Sequence, residues 1–143
     1  MKTSLLAIAL SLASAFSLIA SEVPEKAALK TMTEASLTSF GDAVKDKDFS
    51  SFYGDIASIW QKQTTAEKLK ESFKTFLDKD IDLPSIVTEL KPVFDKPAEI
   101  NSDDVLVISG YYPTKPNKVK FRLKYLEEEG EWKLVGINVE SDK

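Results

Sequence analysis

Carboxylates and tyrosines are the side chains left for acid–base chemistry in this chain, which contains no histidine and no cysteine. That removes imidazole catalysis, histidine and thiolate metal sites, and the triads built on either residue. Five scattered glycines form no phosphate-binding loop. A carboxylate makes a useful base at neutral pH when an apolar stripe buries it and raises its pKa. Asp55, next to Ile56, and Asp42 are the acids closest to such stripes. Both are expected to face solvent, so no catalytic residue is assigned, and no cofactor or metal is expected.

The most conspicuous charged feature is the row Lys118, Lys120, Arg122 and Lys124, alternating with Val119, Phe121, Leu123 and Tyr125. A half-buried antiparallel strand has that pattern. The row reads first as a solvated sheet face whose lysines pair with glutamates across strands and discourage edge aggregation. Its second reading is an anion-binding or docking face.

These side chains need elements to hold them. Pro24 suits the first turn of a helix. Leu29, Met32, Leu37, Phe40 and Val44 then form one stripe, ending at the solvated turn Lys45-Asp46-Lys47-Asp48. A second helix, capped by Asp48 or Ser50, carries Phe49, Phe52, Tyr53, Ile56, Ile59 and Trp60. Thr64-Thr65-Ala66-Glu67 reads as a capping box in which Thr64 takes the Glu67 N–H, opening a third helix with Leu69, Phe73, Phe76 and Leu77. Asp82-Leu83-Pro84-Ser85 opens a short extra helix.

After Val87 the period becomes alternating. Strands are expected over 88–94, with Pro92 at an edge or bulge, and over 105–112, with Leu106, Ile108, Gly110 and Tyr112 inward. Two more are expected over 119–125 and 132–139, joined by the loop 127–131 with Gly130 at positive φ. The segment 113–117 reads as a rigid loop between strands. Helices followed by about four antiparallel strands make an α+β fold, the helices packed on one face of the sheet.

The chain opens with an export-signal pattern: Lys2, an apolar run over 5–12 broken only by Ser11, then small residues. Cleavage after Ala20 is preferred because Ser21-Glu22-Val23-Pro24 is polar and turn-like, while Ala13-Ser14-Ala15 fits the small-x-small rule, so both ends stay open. The other reading is an uncleaved anchor, although 5–20 falls short of the roughly 20 apolar residues of a membrane span. The expected organisation is a signal peptide over 1–20 and a single domain over 21–143, periplasmic or secreted. Without Lys2 the 19 basic residues become 18 against 23 acidic ones, moving the net charge from −4 to −5. A mildly acidic domain with no basic tail argues against nucleic acid as a partner. No second apolar run can cross a membrane, so none is expected to hold the domain after cleavage.

Three features carry a resemblance. The long first helix runs into Ala43-Val44-Lys45-Asp46-Lys47-Asp48-Phe49, the second helix is aromatic, and the terminal hairpin ends Gly130-Glu131-Trp132-Lys133-Leu134-Val135-Gly136-Ile137. In this order they resemble the nuclear transport factor 2-like superfamily, a cystatin-like α+β cone, across essentially the whole chain after the leader. The resemblance implies a curved sheet, a pocket at the wide end of the cone, and a homodimer through the sheet face. Tyr53, Trp60, Phe73, Tyr112, Phe121 and Tyr125 would wall that pocket. Their other reading is plain core packing, with Tyr53, Trp60 and Tyr125 the stronger pocket candidates because each has a polar atom that needs a partner.

Fold does not imply function here, since the superfamily holds enzymes, binding modules and assembly factors. The preferred expectation is a non-catalytic exported domain that binds a small apolar ligand or a protein partner. The alternatives are an isomerase or dehydratase using Asp and Tyr in the cone, and a membrane-anchored periplasmic assembly protein.

Overall fold

The stripe that begins at Leu29 does form one long helix in the computed structural model, which describes residues 21–141. Helix α1 (Lys26–Asp46) buries Leu37, Phe40 and Val44, and it ends at Lys47 in the left-handed region. Pro24 lies before the helix rather than inside its first turn, because Glu25 is still extended. The expected leader, 1–20, lies outside the described residues.

The aromatic second helix is broken in two. Helices α2 (Ser50–Asp55) and α3 (Ser58–Gln61) flank an extended Ile56. The cause is tertiary: Ile56 and Ala57 are both buried, and the Ala57 N–H donates to the Leu134 carbonyl at 2.8 Å. That bond takes the backbone group a continuous helix would have used. Neither Asp48 nor Ser50 is the N-cap, which is Phe49 without a side-chain cap bond; Asp48, one residue earlier, accepts from the Ser50 N–H at 2.9 Å.

The third helix is also divided, into α4 (Ala66–Ser72) and α5 (Lys74–Leu77), at Phe73. Its cap is Thr65 rather than Thr64, with the Thr65 hydroxyl accepting from the Lys68 N–H at 3.1 Å. The expected Thr64–Glu67 box gives way to a single threonine cap one residue later, because N3 is then Lys68, which has no acceptor to return the bond. Asp82 caps α6 (Leu83–Glu89), with Pro84 in the first turn. Helix α6 lies directly on α1: a Cβ at Gly41 would come within 2.6 Å of Pro84 Cδ and 2.8 Å of Leu83 Cβ.

Because α6 runs on to Glu89, the strand expected over 88–94 survives only as β1 (Val93–Phe94). The Thr88 hydroxyl instead donates back to the Pro84 carbonyl at 2.8 Å, a helical bond. Strand β2 (Glu99–Ile100) was not foreseen. It and β1 pair with opposite ends of β3 (Leu106–Tyr112), forming one interrupted edge. Strands β4 (Val119–Glu128) and β5 (Glu131–Ser141) complete a curved, unclosed antiparallel sheet in the order β1-β3-β4-β5. The β4–β5 hairpin turns at Glu129 and Gly130, both at positive φ, the backbone that a tight two-residue turn requires.

The alternation expected for β3 and β4 is present. Leu106, Ile108, Gly110 and Tyr112, and Val119, Phe121, Leu123 and Tyr125, all face inward under the helices. The fold is α+β with five short to long strands rather than about four.

Candidate functional site

The six candidate aromatics do not share one wall. Tyr112 and Phe121, on neighbouring strands, are core residues with ring centroids 5.8 Å apart. Phe73 belongs to a cluster between helices, stacked on Phe49 at 5.9 Å and edge-on to Phe40 at 4.8 Å. Trp60 stands edge-on to Phe52 at 6.1 Å. Tyr53 closes the α2–α3 corner: its hydroxyl donates to the Gln61 carbonyl at 2.9 Å, while Gln61 Nε2 donates to the Tyr53 carbonyl at 2.8 Å. That exchange supplies the partner the tyrosine's polar atom was expected to need.

Tyr125 reaches a cleft. Its hydroxyl donates to the Met32 carbonyl at 3.2 Å and shares a 2.7 Å hydrogen bond with Ser36 Oγ. Burial pushes the phenol well above the usual tyrosine range, so at neutral pH it is a hydrogen-bonding group and not a base. The cleft, about 250 Å³, lies between α1, α2 and the β4–β5 hairpin. Phe52, Ile56, Trp132 and Leu134 give it an apolar floor, and Ser36, Ser39, Asp55 and Lys133 give it a polar rim. Ser39 Oγ lies 3.4 Å from Asp55 Oδ2. Alternation marks Trp132 and Lys133 as residues of the last strand, but no periodicity shows that the hairpin folds back on α1.

A second, wider groove of about 1200 Å³ follows the flank of α1 toward the end of α6. Its charged lining is mostly acidic, including Glu34, Asp42, Asp46 and Glu89, opposed by Lys30 and Lys91, among uncharged residues such as Thr31, Thr38 and Val87. Among the described residues no group of three or more His, Cys, Asp or Glu side chains is placed to hold a metal ion. Asp42 and Asp55 are both exposed, as expected.

Three carboxylates accept hydrogen bonds at helix starts. Asp48 and Asp82 are held below the usual carboxylate range by hydrogen bonds from Ser50 and Ser85. Glu128 is lowered in the same way by Ser58, accepting from its N–H at 2.9 Å and from its hydroxyl at 2.5 Å. A glutamate at the end of β4 thus satisfies the first N–H of α3 from far along the chain, which no local motif announces. Tyr112 is the opposite case. Its hydroxyl is buried with no hydrogen-bond partner among the described residues. Burial first, and the Glu34 charge second, push it up to about 12.

The basic row lies on the sheet face away from the helices. Lys120, Arg122 and Lys124 are exposed and stand opposite Glu140, Asn138 and Gly136 of β5. Lys118, just before β4, holds its ammonium 4.2 Å above the Tyr111 ring. Among the described residues no helix is long and apolar enough to cross a membrane. Comparison with family models, curated proteins and solved structures matches this chain to none of them.

Proposed function

We propose that this chain is an exported, non-catalytic binding domain built like the nuclear transport factor 2-like cone. We place its ligand in the cleft between α1, α2 and the β4–β5 hairpin rather than at the centre of the cone. The observation that carries this reading is the combination found there: an apolar floor with Trp132 and a rim of hydroxyl, carboxylate and ammonium groups. Binding sites characteristically join apolar walls to a few placed polar atoms. The volume lies below the roughly 300–1,000 Å³ of drug-sized pockets, so the ligand is small, on the scale of one ring with short polar substituents.

The test uses the purified full chain, nondenaturing mass spectrometry and benzyl alcohol as a one-ring probe read through Trp fluorescence. A molecule retained from the producing cell, or one probe bound per chain with a change in Trp fluorescence, is expected, together with its loss in Ser39→Trp. Neither a retained molecule nor saturable probe binding would overturn the reading.

One observation favours an enzyme of isomerase or dehydratase type: Asp55 and Tyr125, a carboxylate and a hydroxyl, line the same cleft. Against it, Asp55 is exposed and the Tyr125 proton is already donated to Met32. This reading requires turnover of a small carbonyl substrate that disappears in Asp55→Asn while the probe still binds.

A further inference from the structure

Strand β5 is eleven residues long and forms one edge of the sheet. Part of that edge is covered, since the Leu134 carbonyl accepts from Ala57. In a strand of fixed direction, every residue facing the same side of the sheet turns its backbone groups toward the same neighbour. Leu134 faces inward and turns its carbonyl away from β4. Ile137 and Val139, inward after the irregularity that follows Leu134, therefore aim their N–H and C=O groups at the open side. Gly136, Asn138 and Glu140 turn theirs to Lys124, Arg122 and Lys120 of β4. Among the described residues, no other strand covers this stretch.

We infer that β5 pairs antiparallel with β5 of a second copy, about a two-fold axis through Asn138, to make one continuous sheet. In this register Ile137 and Val139 of the second copy exchange both backbone hydrogen bonds. The two apolar side chains extend the inward face across the junction. On the outer face, Glu140 arrives opposite Gly136 of the second copy, at a non-hydrogen-bonded pair, where side chains come closest. Gly136 has no side chain of its own, and the stem of Lys124 lies beside it, 3.6 Å from where a Cβ would stand. Glu140 can therefore reach over the glycine to the Lys124 ammonium, flanked on its other side by Lys120 of its own chain. The two-fold repeats this contact, so the charges complement one another twice. A two-fold pairing also closes the edge, which an open edge strand otherwise leaves as a template for aggregation.

The test is the solution mass of the purified full chain across a concentration series, by sedimentation. The wild type is expected at twice the protomer mass. Val139→Pro removes an N–H that points away from β4, leaving that ladder intact, and is expected to give the protomer mass. Glu140→Lys removes the 3.3 Å bond that Asn138 Nδ2 donates to Glu140 and sets a cation opposite Lys120, both at exposed positions, so it keeps the fold and is expected to weaken the dimer at least about tenfold. Adding Lys124→Glu to it is expected to restore the dimer. A wild type that stays monomeric overturns the proposal. So does a dimer indifferent to both Val139→Pro and Glu140→Lys, which would place the contact elsewhere, for instance on the basic sheet face.

Discussion

The two edges of the sheet solve the same problem in opposite ways. At one, β1 and β2 are two residues each, separated by Asp95-Lys96-Pro97-Ala98 and preceded by Pro92. Four residues bulge here against Ile108 and Ser109 of β3. Prolines, a bulge and short strands are the devices that keep an edge from pairing with another chain. At the other edge, β5 runs for eleven residues and, among the described residues, its outer backbone is met only by the Ala57 N–H at Leu134. The contrast teaches that the chain seals one side by itself and leaves the other long enough to accept a strand.

The glycines on either side give the sharpest contrast. A Cβ at Gly110 would come within 2.2 Å of the Val93 carbonyl and 2.9 Å of the Phe121 ring. Gly110→Ala must push β1 off the sheet, and a loss of about 3 kcal/mol is expected in a denaturant titration. Gly136 is open, with Lys124 at ordinary contact distance and no positive φ. Gly136→Ala is expected to change stability by no more than about 1 kcal/mol, in the stabilising direction. Equal losses at the two positions would break the comparison.

The two buried tyrosines repeat it on a smaller scale. Tyr125→Phe, next to the long edge, removes the bonds to Met32 and Ser36 and is expected to cost about 1–2 kcal/mol. Tyr112→Phe, next to the sealed edge, removes a hydroxyl with no partner among the described residues, and is expected to be neutral or to stabilise by up to about 1 kcal/mol. Thermal unfolding of the two variants side by side decides between them.

A pH series gives the smallest and most specific effect. Both phenols are raised in the folded chain, Tyr112 to about 12, above the value near 10 of an unfolded tyrosine. The fold therefore favours their neutral forms. That contribution is complete below about pH 10 and is lost as pH rises through the folded values. Alkaline unfolding that tracks tyrosinate absorbance is expected, with a shallower slope in Tyr125→Phe. At the acid end Asp48, Asp82 and Glu128 are lowered. Their contribution is present above the ordinary carboxylate value and lost as pH falls through the lower folded ones.

The sequence carried much of this where the cause is local. Alternation alone placed Phe121, Leu123 and Tyr125 inward and the Lys120–Arg122–Lys124 row outward. The Gly130 turn and the Asp82 start of α6 also followed from residue type. The misses share a tertiary origin. Ile56 leaves its helix because β5 takes the Ala57 N–H, and Phe73 kinks its helix where it stacks on Phe49. The cleft was half legible. Tyr125 could be singled out as a phenol needing a partner, but Ser36, Trp132 and Asp55 meet it only because the hairpin folds against α1 and α2.

Residue-resolved amide hydrogen exchange along β5, measured at low and high protein concentration, tests the contrast between the edges most directly. The account predicts that the Ile137 and Val139 amides exchange rapidly in the dilute chain and become at least about tenfold slower at high concentration. The Asn138 and Glu140 amides, bonded to β4, should stay protected throughout. Rapid exchange of Ile137 and Val139 at every concentration would contradict it.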